Sequence, residues 1–475
     1  MENSQNMDVT EEVKRDRDKQ EDIVDNGVHF YTDYKNYIPP KEQAVKENLT
    51  YFMGLKLGLM IHWAPGCQLG IIESWALSNG DESWSRKEID WTDDMDEFKQ
   101  QYIDCNKTFN PVKFRPDKWA EFAEECGFKY LLFNTKHHDG FCMFDTETTD
   151  YKITDPSCPF STNPNADIVG RLYEEFRKRG MAISVYFSKP DWHSDYYWAK
   201  QFGDAVDRNV NYDIDEHPEI WEKFVAYTHK QLLELTTNYG KVDVLWLDGG
   251  WVNPEIKKQD IRLGEVVNTI RNTTQPHLIV CDRTVSGEYE NFITPEQMVP
   301  QKPIPVPWES CISLGEDFSF SYSDHYKSAH ELVHLLIDIV ARGGNLALNI
   351  APQPDGKLPE EGMKSLYKLG KWLKINGEAI YETIACDTLE SNETYAFTQK
   401  ANVIYMLYKY SEGSIRLPKS IELSISNPIR EIRLLRTNES IPFVKNVTGI
   451  SILTGKLEVA VSDAEYSDCF KIVME

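Results

Sequence analysis

The chain has 475 residues, with 51 Lys or Arg against 76 Asp or Glu and a formal net charge of -25. That length allows two or three domains, or one large α/β barrel with an appendage. So negative a surface argues against nucleic acid and against anionic membrane, both of which are recognised through clustered Lys and Arg.

Aromatic residues make up 12% of the chain, including 12 Trp and 24 Tyr, enough to fill a large core or line a cleft for flat apolar ring faces. The nine cysteines are scattered from Cys67 to Cys469 without a Cys-x-x-Cys pair. Their odd number speaks against a closed disulfide framework, so they read as buried thiols. The N-terminal MENSQNMDVTEEVKRDRDKQED has no apolar signal-peptide core, and no later run is apolar enough to span a bilayer. The expected location is cytoplasmic if the chain is complete, and secreted or periplasmic if a signal peptide has been removed.

Residues 1–35 read as a charged tail. KLGLMIHW, from Lys56 to Trp63, is the first strand. Trp119, Phe122, Ala123 and Cys126 then fall on one face of a helix that Gly127 stops, and the buried strand KYLLFNT follows. The same order returns with Ile168, Leu172, Tyr173 and Phe176, then Gly180 and MAISVYF. It returns with Ile220, Phe224, Tyr227 and Leu235, then Gly240 and VDVLWL. Fainter copies are Val266, Val267 and Ile270 before LIVC, and Leu332, Leu335, Leu336, Ile339 and Val340 before NLALNI.

Strands apolar on both faces need cover on both sides, so repeated helix–strand units predict a parallel sheet. Six strands are visible, and a (β/α)8-like, TIM-type barrel over residues 36–385 is the economical closure. Beyond, YAFTQKANVIYMLYKY, SIRLPKSIELSI, IREIRLLRT and KLEVAVSD alternate as short strands, predicting an all-β sandwich over 386–475 with a linker near Ile384 to Leu389.

Barrels of this kind gather their chemistry at the C-terminal strand ends. Those ends carry His62 and Trp63, then Lys136, His137, His138 and Asp139, then Tyr186 and Ser188, Asp248, Asp282 and Arg283, and Asn349. Asp248, ahead of Gly249 and Gly250 that would let a ligand approach, suits a nucleophile or general base, or else caps the loop. Neighbouring strand residues point to opposite faces, so His137 and His138 read as hydrogen-bonding groups rather than a metal pair, and no metal is expected.

LGLMIHWAPG, KHHDGFCMF, VYFSKPDW, DVLWLDGG, CDR, NFITPE, PWESC and RGGNLALNIAPQPDG, in that order, resemble the α-L-fucosidases of glycoside hydrolase family 29. The resemblance spans roughly Tyr51 to Glu378. It implies an α/β barrel with a C-terminal β-sandwich, no cofactor, and retaining hydrolysis of terminal α-L-fucose from a fucosylated oligosaccharide or glycoconjugate; a homo-oligomer is left open. Carried over by motif, Asp248 is the nucleophile and Glu296 the acid/base, with Glu290 and Glu288 as alternates in a loop whose family pattern has Asp where this chain has Asn291. Proximity to ionised Asp248 would favour the protonated form of that acid. Sugar contacts carry over as His62, Glu73, Trp75, His137, His138, Tyr186, Trp246 and Arg283, with Phe320 as an aromatic wall. His62-Trp63-Ala64 replaces the usual His-Trp-Gly, and Glu73-Ser74-Trp75 replaces a Glu-Trp pair. The alternatives are a glycosidase for a related L-sugar such as an α-L-galactoside, and a catalytically silent glycan-binding protein.

Overall fold

The structure is a computed structural model and describes residues 31–72, 74–79, 92–457 and 466–475. Seven parallel strands form its centre: β1 (Leu57–Ile61), β2 (Tyr130–Lys136), β3 (Ala182–Ser188), β4 (Val244–Asp248), β5 (Ile279–Asp282), β6 (Glu309–Ser313) and β7 (Asn345–Asn349), hydrogen-bonded in the order β5-β4-β3-β2-β1-β7-β6. The helices described are α1 (Gln43–Leu55), α2 (Met95–Ile103), α3 (Pro116–Glu125), α4 (Ile168–Lys178), α5 (Pro218–Thr237), α6 (Leu263–Thr273), α7 (Ala329–Ala341) and α8 (Glu360–Asn376). Each of the five periodic stretches in the sequence is one of these helices, and each is followed by its expected strand.

The strand missed in the sequence is β6. Its ESCIS reads as polar, yet all five residues are buried, because Glu309 and the two serines find partners inside the protein. Period-two alternation sorts the barrel. Met60, Tyr130, Leu132, Tyr186, Trp246, Ile279, Cys281, Cys311 and Ala347 pack with one another inside. The intervening Leu59, Ile61, Leu131, Phe133, Val185, Leu245, Leu247 and Leu348 join the layer beneath the helices. Helix α1 sends Val45, Leu49 and Phe52 into the inner cluster and plugs the N-terminal end.

Between β5 and β6 the ring is closed by an irregular segment, residues 289–297, rather than by an eighth regular strand. Asn291 N–H donates to Val280 and Asp282 N–H to Tyr289, which ties the segment antiparallel to β5. Ile293 N–H donates to Pro307, Glu309 N–H to Ile293 and Gln297 N–H to Cys311, which ties it to β6. Pro295 has no N–H to offer, so a regular ladder cannot form here. This closing segment contains NFITPE, and it delivers Glu296 to the C-terminal rim.

After α8 the chain forms a five-stranded antiparallel sheet and a three-stranded one around a shared cluster that includes Phe397, Ile404, Ile432, Ile452 and Phe470. The first of those strands is Ile384–Ala385, just before the expected start at 386. The stretch KLEVAVSD falls mostly outside the described residues. Helix α7, opened by a Ser328–Glu331 capping box, joins the two parts. His330 and His334 each hydrogen-bond a carbonyl, of Tyr410 and Tyr466, at 2.9 Å, and Lys409 pairs with Asp338 at 2.7 Å. All nine cysteines are free thiols, eight of them buried. Among the described residues no helix is long and apolar enough to cross a membrane.

Candidate active site

A cavity of about 190 Å³ opens at the C-terminal end of the barrel, lined among others by His62, Trp75, His137, His138, Tyr186, Trp246, Asp248, Arg283 and Glu296. Residues from five different strand ends thus converge, as the fold requires for a composite site.

Asp248 ends β4 with both carboxylate oxygens engaged. Tyr186 O–H donates to Oδ2 at 2.6 Å, Arg283 Nη1 donates to Oδ1 at 3.1 Å, and His138 Nε2 stands 3.9 Å from Oδ2. Burial alone would raise this carboxyl, but the Arg283 charge, the imidazoles and the Tyr186 bond outweigh it and hold Asp248 well below the usual carboxylate range. Burial and the neighbouring Asp248 push the Tyr186 phenol well up, so it remains a donor. The other nitrogen of the Arg283 fork, Nη2, binds Glu296, so one guanidinium spans both carboxylates.

The imidazoles are held from behind. Asn349 uses its amide N–H to bond the Phe318 carbonyl at 2.7 Å, so its oxygen faces His62 and accepts from the backbone N–H at 3.1 Å and from Nδ1 at 3.0 Å. That tautomer leaves His62 Nε2 as an acceptor. Ser74 bonds His137 Nδ1 at 2.6 Å and is itself fixed by the Asp139 N–H and by Tyr102. His138 sits among Trp75, Trp192 and Trp251, at ring distances of 5.1, 5.2 and 5.1 Å. Burial lowers His62 and His138 to about 4 and His137 well below its ordinary value, so all three are neutral near pH 7.

The placement of the expected residues is uneven. His62, Trp75, His137, His138, Tyr186, Trp246, Asp248, Arg283 and Glu296 share the cavity. Glu73 lies outside the described residues. Glu290 does not reach the cavity: it is buried behind the closing segment, where it accepts from Thr32 Oγ1 at 2.5 Å and from the Thr284 and Ser286 N–H groups at 3.0 and 2.8 Å. Glu288 points away and pairs with Lys41 at 3.1 Å. Phe320 is buried against Tyr322, and the ring on the cavity is Phe318, 5.3 Å from His62. The loop after β6 does not follow strand alternation, so spacing alone could not choose between the two.

One further expectation is corrected by geometry. The histidines do not diverge, because β2 ends at Lys136; past it their rings lie 4.2 Å apart, and with Asp248 their ligand atoms fall within 4.8 Å of one another. The Arg283 charge 3.1 Å from Asp248 opposes a cation there, and both oxygens of Asp248 are already in use. Of the two glycines after Asp248, Gly250 lines the cavity. Gly249 has φ +85°, and a Cβ on Gly250 would stand 2.0 Å from Thr284 Oγ1, so the pair also serves the turn and its packing. Sequence reasoning missed Arg208 and Trp251, which line the cavity with the guanidinium 5.0 Å from the indole. Trp251, directly after the two glycines, was within reach of a strand-end search; Arg208, deep in the loop after β3, carried no such signal.

The chain is similar to several known proteins. Rat (Rattus norvegicus) plasma alpha-L-fucosidase is 27% identical over 414 residues, 83% of each chain. Isoenzyme 1 of alpha-L-fucosidase from Paenibacillus thiaminolyticus superposes with a TM-score of 0.74 at 26% identity, over 91% of this chain and 100% of that one. An alpha-L-fucosidase from Bacteroides thetaiotaomicron, solved as a trapped covalent intermediate, shares the fold at a TM-score of 0.72 and 21% identity, over 93% and 99%. The family model described as alpha-L-fucosidase matches residues 28–378; the chain belongs to the α-L-fucosidase family, glycoside hydrolase family 29.

Proposed function

We propose that the protein is a retaining exo-α-L-fucosidase in which Asp248 is the nucleophile and Glu296 the acid/base. The observation that carries this reading is the single Arg283 fork binding both carboxylates at the rim of one cavity. Retaining enzymes hold the pair at roughly 5–5.5 Å and inverting enzymes at about 6.5–9.5 Å. Two carboxylates sharing one guanidinium favour the shorter separation.

In the first step an Asp248 oxygen attacks the anomeric carbon, the glycosidic C–O bond breaks, and Glu296 gives its proton to the departing oxygen. In the second, Glu296 takes a proton from water, the water oxygen attacks the same carbon, and the ester bond to Asp248 breaks. Ionised Asp248 suits attack. Arg283 bonds Glu296 as it bonds Asp248, so a ring hydroxyl entering the cavity competes with Glu296 for the fork. His62 Nε2 and the other imidazoles, all neutral, can accept from or donate to ring hydroxyls without charging the site. Met60, Trp246, Cys311 and Phe318 give the cavity an apolar side that suits the 6-deoxy methyl of fucose. The likeness to structures of fucosidases with fucose-like inhibitors and a trapped intermediate supports a fucosylated oligosaccharide or glycoconjugate as substrate.

The test is hydrolysis of 4-nitrophenyl α-L-fucoside beside the α-L-galactoside and β-D-galactoside, with the first-formed anomer read by NMR. Release of α-L-fucose, lost in Asp248→Ala, is the expected result. Faster release from the α-L-galactoside would transfer the reading to that sugar, and β-L-fucose as first product would replace retention by inversion.

A further inference from the structure

Beneath the cavity, in the middle of the barrel, lies a carboxyl group that the mechanism above does not use. Glu309 begins β6 and is 1% exposed. Its Oε1 accepts the Trp246 indole N–H at 3.1 Å, and its Oε2 accepts the Tyr130 hydroxyl at 2.5 Å. Trp246 in turn touches both groups that hold the nucleophile. The Tyr186 ring stacks on it at 5.2 Å with 23° between planes, and the Arg283 guanidinium lies 5.1 Å from it. These are the two donors to Asp248.

We infer that Glu309 is a positioning residue for the fucosidase reaction: by fixing the indole N–H of Trp246 it fixes the surface on which Tyr186 and Arg283 rest, and so the aim of Asp248. The inference rests on the proposed function and extends it to a residue that touches no substrate.

An indole has one polar atom. Buried without an acceptor, that N–H costs free energy, and the ring gains by turning toward the polar cavity. Turning removes the surface beneath Tyr186 and Arg283 together. Glu309 is itself held on two sides, its main chain by the bond from its N–H to Ile293 at 2.9 Å and its second carboxyl oxygen by Tyr130. A carboxyl is an expensive choice for a barrel interior. Burial pushes Glu309 up to about 7, despite the two bonds that favour its charged form. A residue needed only to fill space would be apolar.

The experiment is a double-mutant cycle on the full chain with an aryl α-L-fucoside, using Glu309→Gln, Glu309→Leu, Trp246→Phe and the combination of the last two. Glutamine keeps an acceptor and should stay within about threefold of wild-type kcat/KM; leucine should lose about tenfold or more, chiefly in kcat. In the Trp246→Phe background, where there is no indole N–H to hold, Glu309→Leu should cost less than about threefold further. Should the leucine variant not fold, Glu309→Asp, which keeps the carboxyl but withdraws the acceptor by one methylene, takes its place in the cycle. Losses that multiply across the cycle, or a leucine or aspartate variant as active as wild type, would overturn the role of Glu309. An inactive wild type would refute the fucosidase reading itself, which is a different result.

Discussion

The Tyr186 hydroxyl donates to Asp248 Oδ2 at 2.6 Å, which leaves this carboxylate held by one neutral donor and, through Arg283, by one charged donor. A hydrogen bond to a charged group is worth about 1.5–3 kcal/mol. Tyr186→Phe removes the neutral donor and keeps the ring that stacks on Trp246. We expect kcat/KM to fall about 10- to 100-fold with the melting temperature little changed; a fall in stability without one in kcat/KM would make Tyr186 a packing residue.

Glu290 and Glu296 lie close in sequence but have different work. Glu290 holds the closing segment through Thr32 and two backbone N–H groups, whereas Glu296 lines the cavity. Azide should therefore rescue Glu296→Ala on an activated fucoside and leave Glu290→Ala unaffected. Glu290→Ala should instead lower stability, by about 1–3 kcal/mol for donors left unpaired. Azide rescue in the Glu290 variant would reverse the assignment.

The three cavity imidazoles set a pH signature. Burial brings His62 and His138 down to about 4 from an ordinary value of 6.5, so they bind a proton less readily folded than unfolded. Their contribution to stability is intact above pH 6.5 and is lost as pH falls from 6.5 toward 4, since there the unfolded chain takes up more protons. Binding of L-fucose, which is uncharged, should accordingly be flat from pH 8 to about 5 and change only near 4. Calorimetric titration across that range checks it, and a transition near 6.5 would mean that the histidines face solvent.

How much of this was readable in advance follows from the physics of each element. The apolar runs of β1 to β5 and β7 are direct consequences of burial on both faces, so the barrel and the place of Asp248 at a strand end on its rim were legible. Strand β6 was hidden because its inward side chains are polar and satisfied by groups far along the chain, Tyr130 and Trp246 for Glu309. The separation of Glu296 from Glu290 depends on how residues 289–297 bridge two strands, which no local pattern encodes. Phe318 replaced Phe320 on the cavity for the same reason: loops have no period.

Gly58 tests the lowest layer of this arrangement. A Cβ placed there would lie 2.0 Å from the Tyr130 ring, so the absence of a side chain in β1 makes the space in which Tyr130 stands and reaches Glu309. Gly58→Ala must push that ring. Forcing extra volume into a packed core costs typically about 1–3 kcal/mol. Because the ring is also bounded by Phe52 at 4.9 Å, movement away from β1 is resisted and the bond to Glu309 is the softer contact. We expect a lower melting temperature together with a drop in kcat/KM, because the carboxyl beneath Trp246 loses one of its two anchors. Destabilisation with kcat/KM unchanged would show that Tyr130 packs the barrel without steadying the site above it.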